Sequence, residues 1–137
     1  MHKFTTSLSI LPGILSGLFI NSAQSNQVDI LAAEFHNNQA TSWSVSVTLK
    51  HADKGWDHYA DGWRIVTDKG QQLGKRVLYH PHVTEQPFTR SLGGVVIPEG
   101  ITTIFIEAHD KVHGWSDTRL KVDLTKAKNG RLKVAAQ

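Results

Sequence analysis

Apolar and polar residues alternate along most of this chain. The clearest stretch is 41–50, where Trp43, Val45, Val47 and Leu49 interleave with Ser44, Ser46, Thr48 and Lys50. A period of two puts all four apolar side chains on one face of a β-strand. Similar runs occupy 28–35, 59–67, 71–79, 87–97, 101–109 and 118–124. Within them, Trp63 and Ile65 share a face, as do Ile104, Ile106 and Ala108, and as do Leu120, Val122 and Leu124. The turn signals are Asp68-Lys69-Gly70 and Pro98-Glu99-Gly100, and a bulge or bend is expected at Gly93-Gly94. No segment sustains a helical period. The pattern predicts an all-β, immunoglobulin-like antiparallel β-sandwich of about seven strands. A small closed barrel is the competing architecture. The expected core is Trp43, Val45, Val47, Leu49, Trp63, Ile65, Ile104, Ile106 and Ala108.

The first residues break the alternation. Lys3 precedes an apolar stretch at 8–20 that is too short for a stable membrane anchor and contains Pro12, Gly13 and Gly17. Ala23 and Ser25 are small and two apart, as a signal peptidase site requires. The expectation is a signal peptide at 1–25, cleaved after Ser25 with Ala23 as the alternative. A sandwich domain at 26–125 and a basic C-terminal tail at 126–137 follow. The protein is then periplasmic or secreted, with no transmembrane segment after cleavage.

The 137 residues, 39% hydrophobic and 20% charged, suit one packed domain. Cysteine is absent. That removes disulfides, thiolate metal sites, thiol nucleophiles and a lipobox. Charge is uneven: 24–117 carries eight Lys/Arg against eleven Asp/Glu, and 118–137 six against one. Basic tails can bind nucleic acid. This one lacks interleaved aromatics and belongs to an exported chain, so it is read as a solvated last strand and frayed end, with no nucleic-acid partner.

Histidine is the compositional anomaly, with 8 in the chain. Following strand direction, the loops 51–58, 80–87 and 109–117 fall at one end of the sandwich. They carry His51, His58, His80, His82, His109 and His113, leaving only His36 elsewhere in the mature chain. Loops at one end of such a fold are where function usually sits. Imidazole is the commonest neutral nitrogen ligand of Zn, Cu, Ni and Fe. His80-Pro81-His82 is a pair held extended by proline, and His109 and His113 are spaced four apart around a turn. The expected ligands of a divalent copper or zinc ion are therefore His80, His82, His109 and His113, with His51 or His58 as a further ligand. Asp57, Glu85 and Asp110 are either ligands or carboxylates that orient the rings. Each ring is otherwise a hydrogen-bonding partner in a loop, and His51 in particular is placed to cap the core. Trp56 and Trp115 are candidates to roof a pocket. Arg90 is expected to pair with Asp57 or Asp61.

Three strings carry a resemblance: His51-Ala-Asp-Lys-Gly-Trp-Asp-His-Tyr-Ala-Asp-Gly-Trp63, Leu78-Tyr-His-Pro-His-Val-Thr-Glu-Gln-Pro-Phe-Thr-Arg-Ser91 and Ala108-His-Asp-Lys-Val-His-Gly114. Together they resemble a family of small exported bacterial proteins of unassigned function. The resemblance spans about 41–115 and implies no activity. A looser similarity links the chain to the immunoglobulin-like fold of superoxide reductases, which gather histidines at iron. Those sites also use a cysteine, which is missing here, so that activity is not carried over. The leading expectation is an exported metal-binding protein. The alternative is an interaction or small-ligand-binding sandwich with no metal, and another exported protein is the candidate partner. An enzyme using a His/Asp acid–base pair ranks third, because no nucleophile elbow or paired-carboxylate motif is present.

Overall fold

The computed structural model describes residues 26–137, together with Lys3 and Gly13. Apart from those two positions, the expected leader lies outside the described residues. Nine strands follow in order: β1 (Asp29–Gln39), β2 (Ser42–Lys50), β3 (Ala60–Thr67), β4 (Gln72–Val77), β5 (Phe88–Val96), β6 (Thr103–Asp110), β7 (Gly114–Trp115), β8 (Leu120–Asp123) and β9 (Arg131–Ala135). One sheet has the order β5-β2-β1-β9. The other runs β4-β3-β6, and both β7 and β8 pair with β6. Because β3 occupies the opposite edge of β6, β7 and β8 are successive pieces of one broken strand. All pairings are antiparallel. The chain is a two-sheet sandwich rather than a closed barrel, with immunoglobulin-like strand order plus one added edge strand.

Period-two alternation builds the core as the sequence implies. Val45, Val47 and Leu49 from β2 face Trp63 and Ile65 from β3 and Ile104, Ile106 and Ala108 from β6, and all are fully buried. Trp43 is half-buried and meets Phe35 edge-on, 6.3 Å between ring centroids.

Two segments depart from expectation. Strand β1 extends past residue 35 to Gln39, because pairing needs only backbone: Asn37 pairs with Trp43 and Gln39 with Ser42. The hairpin closes through Ala40, held at φ 50°, where glycine is the usual occupant. The basic residues after 125 do not simply trail away. Asn129 and Gly130, at φ 53° and 71°, form a two-residue turn between Lys128 and Arg131. Strand β9 then pairs with β1 from Arg131–His36 to Ala135–Ala32. Its Leu132 and Val134 pack against the core while Arg131 and Lys133 stay exposed.

Candidate metal centre

The site forms where the loops after β2, β4 and β6 meet the segment entering β1. Strand β2 delivers His51 inward, continuing its buried parity, and the side chain is inaccessible to solvent. A tight turn in which the Asp53 N–H donates to the His51 carbonyl, 2.9 Å, folds Asp53 back onto the ring. His51 Nδ1 donates to Asp53 Oδ1 at 2.6 Å. Asp53 is saturated from elsewhere too: Oδ1 accepts the Ala60 N–H at 3.0 Å and Oδ2 the His82 N–H at 2.8 Å. A buried carboxylate so bonded fixes the tautomer and tilt of the ring it holds. The other ring nitrogen, His51 Nε2, faces the Asn26 carbonyl oxygen at 2.7 Å.

Asp110 ends β6 pointing inward, with its side chain 1% exposed. The loop Lys111–His113 and Gly114, at φ 74°, turn the chain sharply back into β7. That turn aims the N–H groups of Val112 and His113 at Asp110 Oδ1, 2.8 and 2.7 Å. His113 Nδ1 reaches Oδ2 at 3.1 Å. Burial pushes the Asp110 carboxyl up, but these two N–H groups and the His113 ring outweigh it and hold the group below the usual carboxylate range.

Three ligand atoms, one each from His51, His58 and Asp110, lie within 4.8 Å of one another. His58 Nε2 is 3.4 Å from Asp110 Oδ1. His51 Nε2 is 4.0 Å from Asp110 Oδ2. Ligands about 2.0–2.1 Å from a tetrahedral ion stand roughly 3.3 Å apart, so the first separation already matches one edge of such a site. His58 Nε2 is also buried with no hydrogen-bond partner. Buried polar nitrogens are nearly always paired; His82 Nδ1 is a second unpartnered histidine nitrogen, 3.9 Å from Asp53 Oδ2. Two imidazole nitrogens and one carboxylate oxygen form a donor set that zinc and divalent copper accept.

The other expected ligands are placed differently. His113 holds Asp110 by Nδ1, and its ring lies 5.1 Å from that of His58. His109 points to the outer face of β6, bonded to Asp61 and edge-on to Trp115. Its neighbour Asp110 points inward, because adjacent strand residues face opposite ways. His80 is exposed and packs on His82, with 4.6 Å between ring centroids. His82 is buried, stacked on Phe88 at 4.0 Å, and its Nε2 accepts a hydrogen bond from an Arg90 guanidinium nitrogen at 2.9 Å. Burial, then the Arg90 charge, then His80 lower the His82 pKa below the ordinary histidine value. The rings of His80, His82, His109 and His113 thus do not converge on one point. Among the described residues, the three-ligand group is His51, His58 and Asp110.

Other expectations at this end also change. Arg90 pairs with Glu85 at 3.1 Å and with His82, not with Asp57 or Asp61. Trp56 is 64% exposed against Tyr59, and Trp115 lies under the Arg64 guanidinium at 3.7 Å on the outer face, so the two do not roof a shared pocket. Asp53 and the Asn26 backbone were not singled out by sequence. A carboxylate two residues after a buried histidine was the available signal for the first; nothing in the residue type marks the second.

No protein-family model matches the sequence, and no solved structure matches it. A curated protein of Halomicrobium mukohataei named "Putative lipoprotein" is 46% identical over 78 residues, covering 57% of this chain. The match spans 38% of that protein, so this chain corresponds to little more than a third of its length. Among the described residues, no helix is long and apolar enough to cross a membrane.

Proposed function

We propose that this is an exported metal-binding protein that holds zinc or divalent copper through His51 Nε2, His58 Nε2 and an oxygen of Asp110. The observation that carries the reading is the buried, unpartnered His58 Nε2 beside Asp110. Asp53 fixes His51, and His113 with the N–H of Val112 fixes Asp110, so each flanking ligand is oriented by a further group. Both ring nitrogens of His51 face oxygen atoms, Nδ1 that of Asp53 and Nε2 that of Asn26. Metal binding requires deprotonated ring nitrogens, so affinity falls as pH drops. The absence of thiolate disfavours monovalent copper. Export is supported by the basic and apolar leader pattern and by the likeness to a protein named a lipoprotein. A cysteine anchor is not available within this sequence.

Calorimetry on untagged protein tests the reading, using Zn(II) and Cu(II) separately. His58→Ala and Asp110→Asn should each weaken binding by about a hundredfold or more, since each removes a direct ligand. Wild-type affinity no tighter than that of both variants would overturn it.

A small-ligand-binding module is the second reading, and a different place favours it. A groove of about 610 Å³ runs between β8 and β9, lined by Ile30, Leu120, Leu132 and Val134 with Lys121 and Lys133. Apolar walls with cationic groups suit an anionic amphiphile. Displacement of a fluorescent fatty acid, sensitive to Lys121→Glu, would support this reading and leave the histidine centre unaffected.

A further inference from the structure

We propose that the processed N-terminus is itself part of the metal centre: cleavage after Ser25 frees the α-amine of Asn26, which joins its own carbonyl oxygen on the ion held by His51, His58 and Asp110. The inference rests on the metal-binding reading above and adds to it the ligand that export creates.

The starting observation is the contact between the Asn26 carbonyl oxygen and His51 Nε2, 2.7 Å apart. That nitrogen is the one left for metal once Nδ1 is committed to Asp53. An ion entering at Nε2 therefore meets Asn26 at once. Within a single residue the amine nitrogen and carbonyl oxygen are joined through two carbons and lie roughly 3 Å apart, so both reach one ion in a five-membered ring. The position of Asn26 is not that of a loose end. Val28, two residues on, is 2% exposed in the core. Gln27 between them is tied to the loop after β7, where the Asp117 N–H donates to Gln27 Oε1 at 3.2 Å and Gln27 Nε2 donates to Asp117 Oδ2 at 3.5 Å.

Donor count points the same way. His51, His58 and Asp110 supply three donors, and zinc or divalent copper takes at least four. In the precursor the nitrogen of Asn26 is an amide, whose lone pair is delocalised into the carbonyl and is a poor ligand. Hydrolysis of the Ser25–Asn26 bond by a signal peptidase adds one water across it. Ser25 leaves with a carboxyl group and Asn26 keeps a free amine. The centre gains its chelating donor at that moment, so tight loading is confined to the exported form.

The test uses untagged protein made in three forms: beginning at Asn26, beginning at Asn26 with the amine acetylated, and beginning at Ser25. Zn(II) is the probe, because it does not displace backbone amide protons as Cu(II) does. Calorimetry should show the free Asn26 form binding Zn(II) about tenfold or more tightly than the other two, the loss expected when one chelating donor is removed. His58→Ala in the free form should lose that binding, which ties the signal to this centre. Equal affinity in all three forms, with His58→Ala still deficient, would overturn the N-terminal ligand and leave the side-chain centre standing. Absence of Zn(II) binding in every form would overturn both. Mass spectrometry of exported protein showing a first residue other than Asn26 would also overturn the inference.

Discussion

Two histidine clusters share one carboxylate, Asp53, and differ in what faces their ring nitrogens. On one side, His51 and His58 look toward Asp110, an anion, and one nitrogen has no partner. On the other, His82 Nε2 accepts from Arg90, a cation, while His82 Nδ1 is likewise buried without a partner, 3.9 Å from Asp53 Oδ2. An ammonium or guanidinium group at ligand distance does two things. It consumes the lone pair a metal needs, and it raises the local potential against any further positive charge. The carboxylate beside the first cluster favours added positive charge there, and the guanidinium beside the second opposes it. Ring clustering alone therefore does not set a preference for a cation; the sign of the charge beside the rings also counts.

The largest expected effect separates the clusters directly. His80→Ala combined with His82→Ala should leave Zn(II) affinity within about threefold of wild type. His51→Ala should weaken it about a hundredfold or more, since a ligand is lost rather than a neighbour. Calorimetry on both variants checks this, and a double variant as impaired as His51→Ala would reverse the assignment.

Breaking the carboxylate they share comes next. Asp53→Ala strips partners from the His51 ring and from the N–H groups of Ala60 and His82, all in a buried setting. Leaving such groups unsatisfied should cost about 3–5 kcal/mol. Urea denaturation of metal-free protein measures it, and a loss under about 1 kcal/mol would mean that water replaces the carboxylate.

The second cluster also has a pH signature. The folded-state pKa of His82 lies below its ordinary value, so the native form takes up its proton later than the unfolded chain does. Its contribution to stability is complete above the unfolded value near roughly 6.5 and declines as pH falls from there through the folded pKa. Arg90→Ala removes one of the charges responsible and should move the His82 titration upward, as followed by the NMR shifts of the ring protons. An unchanged or lower midpoint would mean that the guanidinium does not act on the ring.

The smallest effect is a control at the far end of the sandwich. Ala40 occupies a left-handed turn, and Ala40→Gly should stabilise the metal-free protein by about 0.5–1 kcal/mol without altering Zn(II) affinity. A destabilised variant in the same urea titration would place the strain elsewhere.

The strand pattern was readable because alternation reports which face is buried, and burial decides the sandwich. Val45, Val47, Leu49, Trp63, Ile65, Ile104 and Ile106 all obey it. The gathering of His51, His58 and His113 at one end was also legible, since antiparallel order fixes which loops are neighbours. Choosing among the rings was not. His109 and Asp110 are adjacent in sequence yet face opposite sides, and a strand boundary one residue off reverses which of them points inward. Arg90 lies eight residues from His82, and its choice between Glu85, Asp57 and Asp61 depends on side-chain reach rather than on any periodicity. The last strand was legible in part: Asn129-Gly130 is a strong hairpin signal, but the high charge around it favoured reading a solvated end.

Strand β9 carries a consequence for solubility. Without it, β1 would present a row of open N–H and C=O groups along one side, alternating with buried Ala33 and Phe35. Such an edge recruits strands from other molecules. With β9 in place, the outermost strand is five residues long, bears Arg131 and Lys133, and pairs Lys133 with Glu34 at 3.6 Å. Short length and positive charge discourage a further strand from adding. The cationic end of the chain thus acts as a guard against intermolecular sheet growth, a role that depends on where its lysine and arginine sit rather than on what they bind.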